Sequence, residues 1–139
     1  MALIQHELTV ATTGQGLYEF TRQVQAFVST SGLERGLVTL FCRHTSASLL
    51  IQENADPDVQ RDLLEFFRRI APETLPWITH RTEGPDDMPA HIKSALTQTS
   101  IAIPVSNREL ALGTWQGVYL FEHRSAPHHR RVLMHLAGE

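Results

Sequence analysis

The sequence has little of what marks several protein classes. Cys42 is the only cysteine among 139 residues, which excludes an internal disulfide bond and fits a reducing compartment, so we expect a cytoplasmic protein. No apolar run approaches the ~20 residues of a membrane helix, and the first residues lack the basic and apolar regions of a signal peptide. A formal net charge of −3, without a basic stripe or an acidic tail, argues against nucleic-acid binding and against disorder.

What the sequence does contain is an alternation of strand and helix patterns in a chain of single-domain size. At 139 residues we predict one domain over 1–139. Strand patterns occur at 3–11, 37–43, 48–53, 100–105, 114–124 and 131–136, and helical spacing occurs at 17–28, 56–70 and 89–97. This order predicts an α+β fold with mixed, mostly antiparallel sheets and about three helices.

The segment 113–124 reads as one extended strand with polar ends. Alternation places Val118 on one face and both Tyr119 and Phe121 on the other, so the strand is apolar on both sides. Such strands are usually central and covered on both faces. Glu122 leaves the sheet beside apolar neighbours, where an unpaired carboxylate is costly, so we expect it to have a cation or hydrogen-bond donor as partner.

The first of three polar clusters, His44-Thr45-Ser46, directly follows an apolar strand. A turn rich in hydroxyl and backbone N–H groups can hold a phosphate, and a protonated or metal-bound histidine adds positive charge. The alternative is an ordinary turn whose hydroxyl groups bond their own backbone, and chain position alone favours that alternative.

The second cluster surrounds a helix start at Asp56-Pro57, where Asp is a preferred cap and Pro has its φ angle already set. Glu53 and Asn54 come just before it, after an apolar strand. Their oxygen atoms could bind Mg²⁺ directly or through water, whereas capping alone accounts for Asp56.

The third cluster runs from His80 to His91 and includes Asp87. We expect His91 in the first turn of a helix, where N–H groups favour an anion. His80 and His91, with either His44 or Glu122, would give a divalent metal three ligands and leave one position open. Spacing along the sequence does not by itself indicate this metal site, because lone histidines are more often hydrogen-bonded structural groups.

A basic group, His128-His129-Arg130-Arg131, precedes the last strand. A solvated turn accounts for it, and together with Arg124 it could instead face a phosphorylated substrate, which an arginine fork binds well. Cys42 lies mid-strand and no serine has an identifiable base nearby, so nucleophilic Cys or Ser chemistry is disfavoured.

Several motifs from about residue 36 onward occur in an order that is specific to one family. They are His44–Leu49, Asn54 with Asp56-Pro57, Glu83-Gly84 with Asp86–Ser94, Ile103–Val105, Gly113–Gly117, Glu122–Arg124, Arg130-Arg131 and Gly138-Glu139. On these motifs the chain resembles the secondary thiamine-phosphate synthase family, the YjbQ-like proteins.

The resemblance implies a compact α+β protein that assembles as a homotrimer, with polar pockets between subunits and weak thiamine-phosphate synthase activity. That reaction joins hydroxymethylpyrimidine diphosphate to thiazole phosphate and releases diphosphate. The chain departs from many relatives at Ser106-Asn107-Arg108, where they carry a glycine, although Asn tolerates left-handed backbone. It departs again at His128-His129, where relatives carry Gly or Asp.

On this resemblance, a divalent cation, Mg²⁺ or Zn²⁺, and basic side chains would stabilise the departing diphosphate. The hypothesis assigns the metal and catalytic core to His44, His91 and Glu122, further catalytic roles to His80 and Asp87, phosphate binding to Arg124 and Arg131, substrate orientation to Thr45, Ser46 and Gln116, and stacking on a heterocycle to Trp115. For Trp115, packing is the stronger alternative.

Two alternative functions use the same residues. A trimeric metal- or phosphometabolite-binding module would bind a phosphorylated small molecule without turnover. A metal-assisted phosphohydrolase would release phosphate in the absence of the thiazole partner. The sequence offers no feature that separates the three.

Overall fold

The computed structural model describes all 139 residues as two antiparallel sheets and three α-helices. The larger sheet has the order β1 (Ala2–Thr12), β8 (His128–Gly138), β3 (Arg35–Cys42), β5 (Ser100–Ser106) and β6 (Glu109–Leu110). The smaller sheet has the order β2 (Gly16–Glu19), β7 (Gln116–Glu122) and β4 (Ala47–Glu53). The helices are α1 (Thr21–Ser31), α2 (Pro57–Ile70) and α3 (Asp87–Leu96). The predicted α+β class is confirmed.

One hydrophobic core joins both sheets to α1. Alternate residues of β3, β5 and β8 form a single buried cluster with Val24 and Val28 of α1 and with Val118 and Leu120 of β7. This alternation is what an antiparallel strand shows when one of its faces is buried. Cys42 belongs to the same cluster, as expected for a small buried hydrophobic residue.

Strand β7 lies between β2 and β4 and is covered on both faces, as its sequence predicts. Tyr119 and Phe121 point away from the core and towards α2. The Gln60 side chain donates a hydrogen bond of 2.9 Å to the Tyr119 hydroxyl. The Phe67 ring meets the Phe121 ring edge-on, with centroids 5.2 Å apart. The end of β7 therefore lies between the core and α2.

Helix α2 begins where the sequence predicts. The Asp56 carboxylate accepts a hydrogen bond of 2.9 Å from the Asp58 N–H, and Pro57 is the first helical residue. No residue of α2 is buried, and Phe66 and Ile70 are exposed. The helix thus covers the small sheet only loosely.

The prediction that the first helix starts near Leu17 is wrong. Leu17 and Tyr18 belong to β2 and pair with Phe121 and Leu120 of β7. The Tyr18 hydroxyl donates a hydrogen bond of 2.7 Å to the Gly14 carbonyl, which fixes the turn before β2. Strand pairing therefore overrides the helical spacing of the apolar residues.

The turn between β5 and β6 adopts the left-handed backbone that its asparagine suggests. Asn107 has φ 53° and Arg108 has φ 66°. The Arg108 side chain donates a 2.7 Å hydrogen bond to Glu34, and this ion pair holds the second left-handed residue in place. The missing glycine is thus tolerated.

None of the three helices combines the length and the apolar character required to cross a membrane. The longest, α2, has 14 residues.

Candidate metal centre

Four side chains that offer metal ligands converge at the start of α3, and we call them the His80–His91 centre. They are His80, Glu83, Asp87 and His91, with one ligand atom of each lying within 4.8 Å of the others. Asp87 and His91 are one helical turn apart and so share a face of α3. His80 and Glu83 come from the preceding loop, which contains Gly84 at φ 102°, a backbone conformation that favours glycine.

The His91 ring lies between two hydrogen-bond acceptors. Its Nδ1 is 2.9 Å from the Thr45 carbonyl oxygen, and its Nε2 is 3.0 Å from Asp87 Oδ2. Because a carbonyl only accepts, Nδ1 must carry the proton. A neutral ring would then direct an Nε2 lone pair at a carboxylate oxygen. This geometry requires either a second proton on His91 or a cation between the two groups.

His80 completes the arrangement from the other side. Its Nε2 is 2.7 Å from Asp87 Oδ2 and 3.3 Å from Glu83 Oε2. The hydrogen bond to Asp87 raises the pKa of His80 above its ordinary value. Burial acts to raise the pKa of Asp87, but its hydrogen bonds and the nearby Arg124 charge outweigh burial and hold that pKa low. Asp87 is therefore an anion shared by two imidazoles.

Arg124 supports the centre from outside. Its guanidinium contacts Asp87 Oδ1 at 2.8 Å, Asp86 Oδ2 at 2.9 Å and the Glu83 carbonyl at 2.9 Å, using all three nitrogen atoms. Its predicted role was to hold phosphate oxygens, but in this arrangement no N–H fork is left free for a phosphate. Arg124 instead orients one ligand of the centre and fixes the loop that carries two others.

Glu122, predicted to be a metal ligand, lies in a separate and closed site. Arg130 contacts both carboxylate oxygens, with Nε 2.7 Å from Oε1. Thr12 donates a further hydrogen bond of 2.7 Å, and the Arg124 N–H donates one of 3.1 Å. Burial acts to raise the pKa of Glu122, but these donors lower it overall. The predicted cation partner exists, and it is Arg130.

His44 is also held away from the centre. Its Nε2 accepts a hydrogen bond of 2.7 Å from the Arg131 N–H, so this nitrogen is unprotonated. Burial, followed by the charges of Arg130 and Arg131, lowers the pKa of His44. The predicted set of His44, His91 and Glu122 therefore does not converge within the chain. Sequence order could not reveal this, because β8 supplies the partners of both His44 and Glu122.

The predicted substrate-binding residues are dispersed. Thr45 reaches the centre through its carbonyl, and Ser46 is buried, accepting hydrogen bonds from Arg130 at 3.0 Å and 3.2 Å. The Arg131 side chain is exposed, outside the centre. Gln116 accepts a 2.8 Å hydrogen bond from the Gly113 N–H.

Trp115 is 62% exposed and precedes β7. Six residue-to-residue steps of about 3.3 Å lead from Gln116 to Glu122, so these two side chains lie roughly 20 Å apart. Within one chain, the tryptophan end of the strand is remote from the His80–His91 centre.

Two polar residues have structural roles that the sequence did not predict: Arg130 was expected in a solvated turn or facing a phosphorylated substrate, and His123 had no predicted role. Arg130 shares the buried face of β8 with Val132 and Met134. His123 shares the buried face of β7 with Phe121, and its Nε2 lies 2.8 Å from Ser48 Oγ. Burial lowers the pKa of His123 to about 3, so its ring is neutral.

The chain is similar to proteins of one family over nearly its full length. Residues 6–139 match the family described as UPF0047 protein YjbQ-like. The UPF0047 protein sll1880 of Synechocystis sp. is 57% identical over 137 residues, covering 97% of this chain and 93% of that protein. UPF0047 protein YjbQ of Escherichia coli O157:H7 is 39% identical over 136 residues, covering 97% of this chain and 98% of that protein.

Solved structures agree with the sequence relatives. An uncharacterized conserved protein of the yjbq/upf0047 family from Clostridium acetobutylicum superposes with a TM-score of 0.84 at 35% identity, covering 96% of this chain and 99% of that one. The conserved hypothetical protein TT1486 from Thermus thermophilus superposes with a TM-score of 0.82 at 37% identity, covering 92% of this chain and 97% of that one. None of these four relatives is described by a reaction, so thiamine-phosphate synthesis stays a prediction. The chain belongs to the YjbQ-like UPF0047 family.

Proposed function

We propose that this protein binds one divalent metal ion per chain at the His80–His91 centre and uses it to engage a phosphorylated small molecule. The observation that carries the proposal is the position of His91. Its Nδ1 is bonded to the Thr45 carbonyl, and its Nε2 faces the Asp87 carboxylate. Metal-binding histidines commonly have this backbone-carbonyl partner on the second nitrogen, because it fixes the ring and its tautomer.

The donor set favours Zn²⁺ or a similar transition metal over Mg²⁺. Two imidazole nitrogens and two carboxylates suit zinc, whereas Mg²⁺ prefers oxygen ligands and retained waters. A tetrahedral ion with bonds of ~2.0 Å separates its ligands by about 3.3 Å. His80 and His91 lie 2.7 Å and 3.0 Å from Asp87, so a shift of a few tenths of an ångström would admit the ion.

The centre is open on one side, because Glu83 is exposed and both histidine rings are only partly covered. A bound metal would supply positive charge to a phosphoryl oxygen. The reaction that the family resemblance implies, transfer of hydroxymethylpyrimidine to thiazole phosphate with loss of diphosphate, is the specific activity that we propose to test. His91 and Asp87 would hold the ion, and Arg124 would keep Asp87 in place.

A second candidate is a trimeric metal- or phosphometabolite-binding module without turnover. One observation favours it: Arg124, the arginine that contacts the centre, uses all three guanidinium nitrogen atoms on Asp86, Asp87 and the Glu83 carbonyl. Within one chain, Arg124 therefore offers no paired N–H fork to stabilise a departing diphosphate. Binding of a phosphate oxygen demands less compensating charge than expulsion of diphosphate does.

Metal binding is tested by calorimetric titration of chelator-treated protein with Zn²⁺ and, separately, Mg²⁺. We expect one Zn²⁺ per chain, bound at least ~100-fold more weakly by His91→Ala, since a protein ligand and its second-sphere bond are both lost. His129→Ala is the matched control, because His129 is an exposed histidine outside the centre. Equal Zn²⁺ affinity in wild type and His91→Ala would refute the metal site.

Turnover is tested with the two thiamine precursors, added singly and together. Diphosphate release that requires both supports the transferase, and His91→Ala should then lower the rate by ~10²–10³. Phosphate release from one precursor alone supports hydrolysis. Tight binding without any release supports the module.

A further inference from the structure

A cavity of about 470 Å³ lies between α2 and the outer face of β7, and we call it the α2 cavity. Phe121 and His123 of β7 and Lys93 of α3 line it on one side, and Phe67, Arg61 and Arg68 of α2 line it on the other. Its volume falls within the range of small-molecule sites. The metal centre accounts for none of these six residues.

Two polar groups on the wall of the α2 cavity have no partner in the protein. His123 is 1% exposed, and its Nδ1 is the buried side-chain atom that lacks a hydrogen bond. Lys93 is 6% exposed and is in no ion pair; burial lowers its pKa, and the charges of Glu73 and Asp86 act on it from beyond ion-pair distance. Buried polar and charged groups are normally paired, because leaving them unpaired costs free energy.

Lys93 is also the only lysine in the chain, since the other eleven of its 12 basic residues are arginines. The cationic side chains on the surface are therefore all arginine, and the one lysine ammonium group is placed inside. Lysine presents a compact point charge with rotatable donors, which suits an anion held in a pocket. Composition and burial thus single out the same residue.

The hydrogen-bond chain behind His123 indicates what its free nitrogen offers. Thr97 Oγ1 lies 2.6 Å from Ser48 Oγ and 2.9 Å from the Lys93 carbonyl, and Ser48 Oγ lies 2.8 Å from His123 Nε2. When the single Thr97 proton goes to Ser48, Ser48 donates to Nε2 and the neutral His123 ring carries its proton on Nδ1; when it goes to the Lys93 carbonyl, Nδ1 is an acceptor. An anion in the cavity selects the first arrangement, in which both groups of the cavity wall are donors.

The carboxylates around the α2 cavity do not neutralise Lys93. Glu65 is bound by Arg68 and Arg69, and Glu122 is bound by Arg130. Asp62, the remaining acidic residue of the lining, is exposed on α2. Glu73 and Asp86, whose charges act on Lys93, lie outside the lining; Asp86 is bound by Arg124 and Glu73 is exposed. The uncommitted charge inside the cavity is therefore positive.

We propose that the α2 cavity binds a small anion with a flat apolar body, a carboxylate or a phosphate monoester of an aromatic ring. Lys93 and the His123 Nδ1–H would donate to the anionic oxygens, and Phe67 and Phe121 would contact the ring. The site is distinct from the His80–His91 centre. Lys93 follows His91 by two residues, about 200° around α3, so the two side chains leave the helix in different directions.

The test is calorimetric titration of chelator-treated wild-type protein with phenyl phosphate, benzoate and inorganic phosphate. We expect phenyl phosphate or benzoate to bind more tightly than inorganic phosphate, with the better of the two identifying the anion. Lys93→Met keeps the side-chain length and removes the charge, and it should weaken that binding by about 10- to 100-fold. Arg22→Met is the charge-matched control, because Arg22 is exposed and lies outside the cavity.

Two further measurements separate a binding role from a structural one. Lys93→Met should unfold at the same or a higher denaturant concentration, because it removes a buried unpaired charge. Its Zn²⁺ affinity should match wild type, so failure of the metal centre and failure of the α2 cavity give different results. Equal affinity of wild type and Lys93→Met for every anion would overturn the proposal. A destabilised Lys93→Met that binds no anion would also overturn it, because Lys93 would then be paired with a counter-ion from another copy of the chain.

Discussion

The Glu122–Arg130 pair and the His80–His91 centre both contain a buried carboxylate, yet their hydrogen bonding differs. Around Glu122 every partner is a donor, namely Arg130, Thr12 and the Arg124 N–H. Around Asp87, Arg124 donates to Oδ1, but both imidazoles meet at Oδ2 and a second carboxylate, Glu83, adds only acceptors. The first site is complete within the chain. The second has more acceptors than Arg124 and two neutral histidines can satisfy, so it needs added protons or a cation.

This difference teaches how to tell a structural ion pair from a candidate metal site. The residue types are similar, and the sequence argument placed members of both in one ligand set. Comparing the number of hydrogen-bond donors with the number of acceptors distinguishes the two kinds of site. In a structural ion pair the two numbers match, whereas a metal site without its ion has an excess of acceptors.

Removing Arg130 should cause the largest loss of stability. Arg130→Ala leaves the Glu122 carboxylate buried and unpaired, so we expect the free energy of unfolding to fall by about 3–5 kcal/mol. Chemical denaturation measures this free energy. Arg131→Ala, at an exposed position, is the control, and its free energy of unfolding is expected to lie within ~0.5 kcal/mol of wild type. The double variant Glu122→Leu/Arg130→Met should recover most of the loss. If Arg130→Ala were as stable as Arg131→Ala, Arg130 would not be the group that compensates the buried Glu122 charge.

Removing Arg124 should weaken metal binding without removing a ligand. Arg124→Ala frees Asp87 and the loop around Glu83, so its Zn²⁺ affinity should be about 10- to 100-fold below that of wild type. The Zn²⁺ affinity of Arg124→Lys should lie between those of wild type and Arg124→Ala. Calorimetric titration measures both. Arg81→Ala is the control, because Arg81 lies in the same loop and contacts none of the four ligands. Unchanged affinity in Arg124→Ala would mean that the ligands need no such support.

Acid should weaken the Glu122 pair in a defined window. The pKa of Glu122 lies below its ordinary value of 4.5, so the charged form is favoured in the folded state. Its stabilisation is present above pH 4.5 and is lost as pH falls through the lower folded-state pKa. Below pH 4.5 the unfolding free energy of wild type should therefore drop faster than that of Glu122→Gln, by up to about 1.4 kcal/mol per pH unit. Parallel curves would contradict the assigned pairing.

Trp115→Ala should have the smallest effect. The ring is 62% exposed and lies at the end of β7 remote from both sites, so we expect unchanged Zn²⁺ affinity and a change in unfolding free energy within ~0.5 kcal/mol. Titration and denaturation of the same sample test both statements. Weaker Zn²⁺ binding would instead place Trp115 of a second copy beside the centre, as the homotrimer expectation allows.

Much of the fold could be predicted because local patterns and tertiary packing agree. The two-sided apolar run of β7, and Asp56-Pro57 at the start of α2, each specify one outcome. Leu17 shows where this fails, because its helical spacing to Phe20 and Val24 competes with pairing to Phe121. That competition is decided by a strand about a hundred residues away, which no local window contains.

The candidate site could be predicted only in part. His80, Asp87 and His91 come from one continuous segment, but the helix was predicted to begin at 89, and only its observed start at Asp87 places Asp87 and His91 one turn apart on one face. Glu122 and His44 were grouped with them only because all are candidate ligands. Their true partners, Arg130 and the Arg131 N–H, come from β8, and that pairing is fixed by sheet topology rather than by any ligand pattern.

Glu122, His123 and Arg124 are consecutive, yet each belongs to a different site: the buried ion pair, the α2 cavity and the support of the metal centre. A displacement of the strand end by a fraction of an ångström would move residues of all three sites at once. If the proposed metal ion and anion bind there, occupancy of one site is expected to change affinity at the other, by the same factor in both directions. The end of β7 would then couple the candidate metal centre to the α2 cavity.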